Sequence, residues 1–147
     1  MMNTIKVLSL SGLIFFSSNA LACNGDDMHL LLEVGHKTIL EDEPAADVFE
    51  HYSPSPIPHL SKNNKQGIKL GALIPKSYKS GKVIVYSCGK QLVKSFADLR
   101  SSKPELSNYY IALTKKKSLK LIHAKTPEKK GRAALKRLVR IQVLPDA

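Results

Sequence analysis

Cys23 and Cys88 are the two thiols of this 147-residue chain, and each offers distinct chemistry. As a pair in an oxidising compartment they can close into a disulfide. The bond would close a loop of roughly 65 residues, nominally about 4 kcal/mol in the chain-entropy view. Two other states stay open: acylation of Cys23, which would occupy its sulfur, and a pair of unbonded thiols. Cys88 before Gly89 is also the one cysteine with a turn to expose it as a nucleophile. No G-x-S-x-G elbow accompanies it. His36, His51 and His59 suit copper or zinc, but their spacings form no compact ligand motif, and surface or packed histidines are expected. Met28-His29 near Cys23 is a weaker copper candidate. Tyr109-Tyr110 followed by lysines has the residue types of a nucleic-acid stacking surface. Within a strand, however, such tyrosines usually pack, and export argues against a nucleic-acid partner. No catalytic residue or metal ligand is assigned.

The ionic chemistry is more pronounced. Between Cys23 and Ser61, Asp26, Asp27, Glu33, Glu41, Asp42, Glu43, Asp47 and Glu50 face Lys37 alone, a net −7. From Lys62 onward Asp98, Glu105, Glu128 and Asp146 oppose the remaining bases, a net +17. The acidic front is expected to fold back near part of the basic remainder, offsetting self-repulsion. The remaining excess either solvates the surface or attracts an anionic ligand, an envelope polymer or an acidic protein.

The elements that must position these groups follow from hydropathy. Residues 1–22 read as an export leader: Lys6, an apolar run from Val7 to Phe16, then Ala20-Leu21-Ala22 as a cleavage site. The mature chain, 23–147, is expected to form a single periplasmic or secreted domain without a transmembrane helix. Lipid anchoring through Cys23 is the alternative. The usual acylation motif has Leu three residues before the cysteine; here Ala20 and Leu21 stand in the reverse order.

Met28–Val34, Gly35-His36 and Lys37–Leu40 predict a strand, a turn and a short strand. Ala45–Tyr52 predicts a brief helix entered through Pro44. Ser53–Gln66 predicts an irregular loop. The β-branched run Lys82–Tyr86, a Ser87–Lys90 turn and Gln91–Phe96 predict a hairpin. A short helical element at Ala97–Leu99 follows, then strands at Asn108–Thr114, Ser118–His123 and Arg137–Leu144, with a mobile basic loop at Lys125–Arg132. Val139, Ile141 and Val143 alternate with Arg140 and Gln142, as in a half-buried strand. The inventory implies an α+β, β-rich domain with a mixed or antiparallel sheet and short helices.

Gly67–Ile74, Val83–Lys90, Ser95–Leu99 and Leu138–Val143 occur in an order that resembles the molybdopterin-binding domain of sulfite-oxidase-like proteins, over about residues 67–144. The resemblance implies a sulfite-oxidase-like core. Where the family's enzymes place the molybdenum-ligating cysteine ahead of this region, Cys88 lies within the hairpin. A Gly-Pro-x-Arg-type stretch before the last strand is also missing, so the resemblance carries fold more than activity. Were molybdopterin bound, Lys115, Lys116, Lys117, Lys129, Lys130 and Arg132 would be available to cradle its phosphate. The same six define an anion-binding surface. The preferred reading is a non-catalytic accessory or binding domain; the alternative is a redox enzyme holding molybdopterin or a metal.

Overall fold

Apolar strands build two five-stranded sheets around a shared main core, with buried side chains alternating along Arg140–Pro145 and lying on both faces of Gly81–Tyr86 and Tyr109–Leu113. The computed structural model describes residues 29–57, 66–124 and 132–146. The expected leader, Cys23, His59, Lys129 and Lys130 lie outside them. The first sheet contains β1 (His29–Val34), β2 (Lys37–Pro44), β5 (Gly81–Tyr86), β6 (Gln91–Ser95) and β10 (Arg140–Pro145). Its order is β2-β1-β10-β5-β6. The second holds β3 (Ser55–Pro56), β4 (Gln66–Lys69), β7 (Tyr109–Leu113), β8 (Leu119–His123) and β9 (Arg132–Leu135), in the order β3-β4-β7-β8-β9.

The first sheet is mixed, because β10 lies parallel to β1 with Leu32 opposite Ile141 and Val34 opposite Val143. Its other face of pairing is antiparallel to β5, with Ile141 opposite Val85 and Val143 opposite Val83. The second sheet is antiparallel throughout. The chain is thus β-rich with a few short helices.

Leu30, Leu32, Val83, Val85, Ile141 and Val143 of the first sheet meet Ile68, Ile111, Leu119 and Leu121 of the second in one cluster. Each such side chain removed from water contributes about 1.5–3 kcal/mol. Phe96 joins them, fully buried, as the first residue of α2 (Phe96–Leu99). The expected strand Gln91–Phe96 therefore stops one residue early. Ser95 ends it by accepting a 3.1 Å hydrogen bond from the Asp98 amide, an N-cap that turns the chain into helix. Arg100 then lies 5.5 Å from the Phe96 ring and donates to the carbonyls of Pro75 and Lys79, fixing the loop before β5.

α1 (Ala45–His51) buries Ala45 and Val48, and Pro44 precedes it with the extended ψ of 140° that a helix entry needs. A 3₁₀ turn (Leu70–Leu73) and α3 (Pro104–Ser107) complete the helices. Other boundaries also differ from the sequence expectation: in the segment Ser53–Gln66, expected as an irregular loop, Ser55–Pro56 form β3 by pairing with Gly67 and Gln66 of β4. β2 runs on to Pro44 because it pairs past Leu40, with irregular register around Leu30–Glu33. Arg132, expected in a loop, starts β9 opposite His123. Arg137, expected in the last strand, sits outside it at φ 57°.

Among the described residues, no helix is long and apolar enough to cross a membrane.

Candidate anion-binding surface

Three connections meet at one end of the sheets, and lysines crowd them. The first is the β5–β6 turn, where the Ser87 amide donates to the Lys90 carbonyl at 2.8 Å and Gly89 takes φ 85°. The left-handed conformation is one that glycine adopts without a Cβ penalty. The second is the β7–β8 turn. Thr114 and Ser118 close it with amide-to-carbonyl and hydroxyl-to-hydroxyl contacts, both 2.8 Å, and Ser118 is buried beneath it. That closure leaves Lys115, Lys116 and Lys117 as the exposed tip.

The third connection carries the chain from one sheet to the other. The Leu138 amide donates to Leu119 of β8, and the Val139 amide donates to Tyr86 of β5, each at 2.9 Å. One crossing segment therefore ties the two turns to the same end. Lys136 in this segment is exposed. Cys88 Sγ lies 3.8 Å from the Arg137 carbonyl oxygen, so the cysteine sits where the first turn meets the crossing.

Lys90, Lys115, Lys116, Lys117 and Lys136 thus share one end and are all exposed. The described acids of the basic part lie at the other end. Asp98 follows the end of β6, the Glu105 carbonyl accepts from His123 at the end of β8, and the Asp146 amide donates to Ser80 just before β5. Among the described acids of the front, Glu43 comes to the lysine-rich end on β2, where it pairs with Leu30, and Asp47 comes to it in the first turn of the helix that follows Pro44. β2 is three strands from β5 in the sheet order. At about 4.8 Å per strand this is roughly 14 Å, beyond the Debye length of about 8 Å at physiological ionic strength.

One front acid does reach a rear base. Arg140 Nε and a terminal guanidinium nitrogen both lie 2.7 Å from Glu33 Oε1, across the β1–β10 pair. The guanidinium also lies 5.4 Å from the centre of the Tyr86 ring, and the Tyr86 hydroxyl donates to Gln142 Oε1 at 2.6 Å. Arg140 is consequently engaged in holding the sheet's outer face.

Four of the six sequence-predicted anion ligands lie among the described residues. Lys115–Lys117 lie at the start of β8, whereas Arg132 pairs at its end, opposite His123. Lys129 and Lys130 lie outside the described residues. Lys90 and Lys136, which sequence reasoning did not assign, stand with Lys115–Lys117 instead. Their signals were present in the turn at Ser87–Lys90 and in the Lys136-Arg137 pair, but only the crossing of the chain between sheets joins them.

Other candidates also find places. His29 Nδ1 lies 2.8 Å from the Asp42 carbonyl oxygen and 3.3 Å from its carboxylate. His36 occupies the β1–β2 turn at the opposite end, and His51 closes α1 against the edge of Tyr52. Among the described residues no group of three His, Cys, Asp or Glu could hold a metal ion. Tyr109 faces the main core and stacks on His123 at 4.1 Å, with the Lys94 ammonium 5.2 Å from its ring. Tyr110 points to the other face, among Ile57, Ala112, Ile122 and Ala124. Burial pushes the Tyr110 phenol up from its ordinary value, as it does that of Tyr52. Both neighbouring tyrosines are thus packed rather than displayed. Cys88 carries no free thiol.

Comparison with family models, curated proteins and solved structures finds no match to this chain.

Proposed function

We propose that this chain is an exported accessory domain, non-catalytic, that binds an anionic partner through the lysine-rich end of its two sheets. The observation that carries the reading is the convergence of Lys90, Lys115, Lys116, Lys117 and Lys136 on three neighbouring connections, away from Asp98, Glu105 and Asp146. A surface of one sign concentrates an oppositely charged ligand and speeds its encounter. In this reading the core is sulfite-oxidase-like, supported by the Gly81–Ser95 hairpin leading into α2 and by the closing strand β10. Cys23 and Cys88 form the disulfide, supported by the absence of a free thiol at Cys88 in a chain of two cysteines. The bond would tether the mature N-terminus beside the binding end.

Retention on a phosphorylated cation-exchange support tests the location. Lys116→Gln/Lys136→Gln should elute at distinctly lower salt than Lys76→Gln/Lys79→Gln, which removes equal charge from exposed lysines in the loop before β5. Equal elution would reject the site. Stoichiometric molybdenum or a pterin in protein purified from the periplasm would reject the accessory reading. Intact mass without reductant should be two hydrogens below that of the reduced mature chain, and a diacylglyceryl adduct would place the protein on a membrane instead.

A further inference from the structure

The spread of the five lysines and the residues around them say which anion fits. Lys90 lies on the turn at the edge of the first sheet, Lys115–Lys117 on a turn of the second, and Lys136 in the segment between the two. Facing sheets lie about 10 Å apart and adjacent strands about 4.8 Å. Cations on two separate turns and on the segment between them can each meet a successive group of one chain of repeated anions, which one small anion cannot supply to all five. The lysines also lack what would build a closed pocket for a small anion, since all five are exposed.

The same connections discriminate among polymers. Ser87–Lys90, Thr114–Ser118 and Lys136–Val139 contain no aromatic residue on which a base could stack. Tyr86, which precedes the first turn, has the Arg140 guanidinium 5.4 Å from its ring centre. Among the described residues the exposed large hydrophobic side chains, Ile39 and Val93, lie on β2 and β6, so these three connections carry no apolar anchor for a lipid surface. What remains is recognition of charge density along a flexible line. Lysine, a compact point charge with rotatable donors, suits phosphate in that mode. The acidic run Glu41-Asp42-Glu43 at the far edge of the first sheet repels such a chain and limits its track to β5–β10 and the second sheet.

We infer that the partner is a linear polyphosphate-like polyanion lying across the three connections, from the β7–β8 turn over Lys136 to the β5–β6 turn; this rests on the anion-binding reading of the same end. Association exchanges the polymer's condensed counterions for lysines, so affinity grows with the number of lysines a chain reaches at once.

Calorimetric titration of the mature protein with orthophosphate, tripolyphosphate and long-chain polyphosphate tests this, beside polygalacturonate and phosphatidylglycerol vesicles. Expected is an affinity per chain at least about tenfold higher for long-chain polyphosphate than for tripolyphosphate, at equal total phosphate. Lys116→Gln/Lys136→Gln should remove most of that gain while thermal unfolding stays unchanged. Tripolyphosphate binding as tightly as the long chain would overturn the polymer and leave the anion-binding end standing. Tighter binding to polygalacturonate or to vesicles would overturn the phosphate chain as the occupant. No binding to any of the five probes would overturn both readings.

Discussion

Replacing Glu33 by Gln removes the carboxylate that receives two Arg140 nitrogens, each at 2.7 Å. The size of the effect follows from exposure. Two unit charges about 4 Å apart attract by about 4 kcal/mol at an effective dielectric of about 20. The side chains are 24% and 40% exposed, so solvent screening and partial desolvation remove much of this. Fully exposed pairs are worth about 0.2–1 kcal/mol. A coupling energy of about 1.5 kcal/mol is therefore expected between Glu33 and Arg140, helped by two nitrogens converging on one carboxylate oxygen and by the Tyr86 ring 5.4 Å from the guanidinium. The assay is a double-mutant cycle of Glu33→Gln and Arg140→Gln, with stability from urea unfolding at constant m-value. Glu33→Gln alone should cost about as much as the coupling, and both should shrink at high salt. Additive single mutants, with a coupling below about 0.3 kcal/mol, would refute the claim that this pair ties the acidic front to the closing strand.

Glycine positions offer a sharper contrast. A Cβ at Gly81 would press against the Leu144 carbonyl oxygen and sit 2.7 Å from the Phe96 ring, at φ 152°, so Gly81→Ala should cost about 3 kcal/mol in urea unfolding. Gly89→Ala meets nothing within 4 Å and carries only left-handed strain at φ 85°, roughly 1 kcal/mol; comparable losses at the two sites would contradict the β5–β10 packing. Tyr52 and Tyr110, raised above 10.0 by burial, should ionise later than exposed tyrosines when phenolate absorbance is followed in the native protein. Because the folded state keeps their protons after the unfolded chain has lost them, stability should be full below pH 10.0 and fall above it. Native and urea-unfolded titrations that coincide would refute the burial of both phenols.

How much of this was legible in the sequence depended on whether the signal was local. The β5–β6 hairpin could be read because Val83-Ile84-Val85 is β-branched and Ser87–Lys90 is turn-forming, both within a few residues. β8 and β10 could be read from strict alternation, with Leu119 and Leu121, then Ile141 and Val143, turned inward. The parallel pairing of β1 with β10 joins the two ends of the described chain, and no local pattern encodes it. β9 was hidden because its first residue sits in a basic, glycine-containing stretch whose pairing partner, β8, supplies the order. The candidate site was half visible. Lys115-Lys116-Lys117 stood out as a charge run, but grouping it with Arg132 followed proximity in sequence. In space, Arg132 is carried to the opposite end of β8, while Lys90 and Lys136 arrive through the hydrogen bonds of Leu138 and Val139.

The salt dependence of polyphosphate binding tests the central claim most directly. Five lysines engaged at about 0.7 counterions each predict a slope of log affinity against log salt near −3.5 for the wild-type chain. Lys116→Gln/Lys136→Gln should reduce its magnitude by about 1.4, and Lys76→Gln/Lys79→Gln should leave it unchanged. Equal slopes for the two variants, or a wild-type slope near zero, would contradict the assignment of anion binding to this end of the molecule.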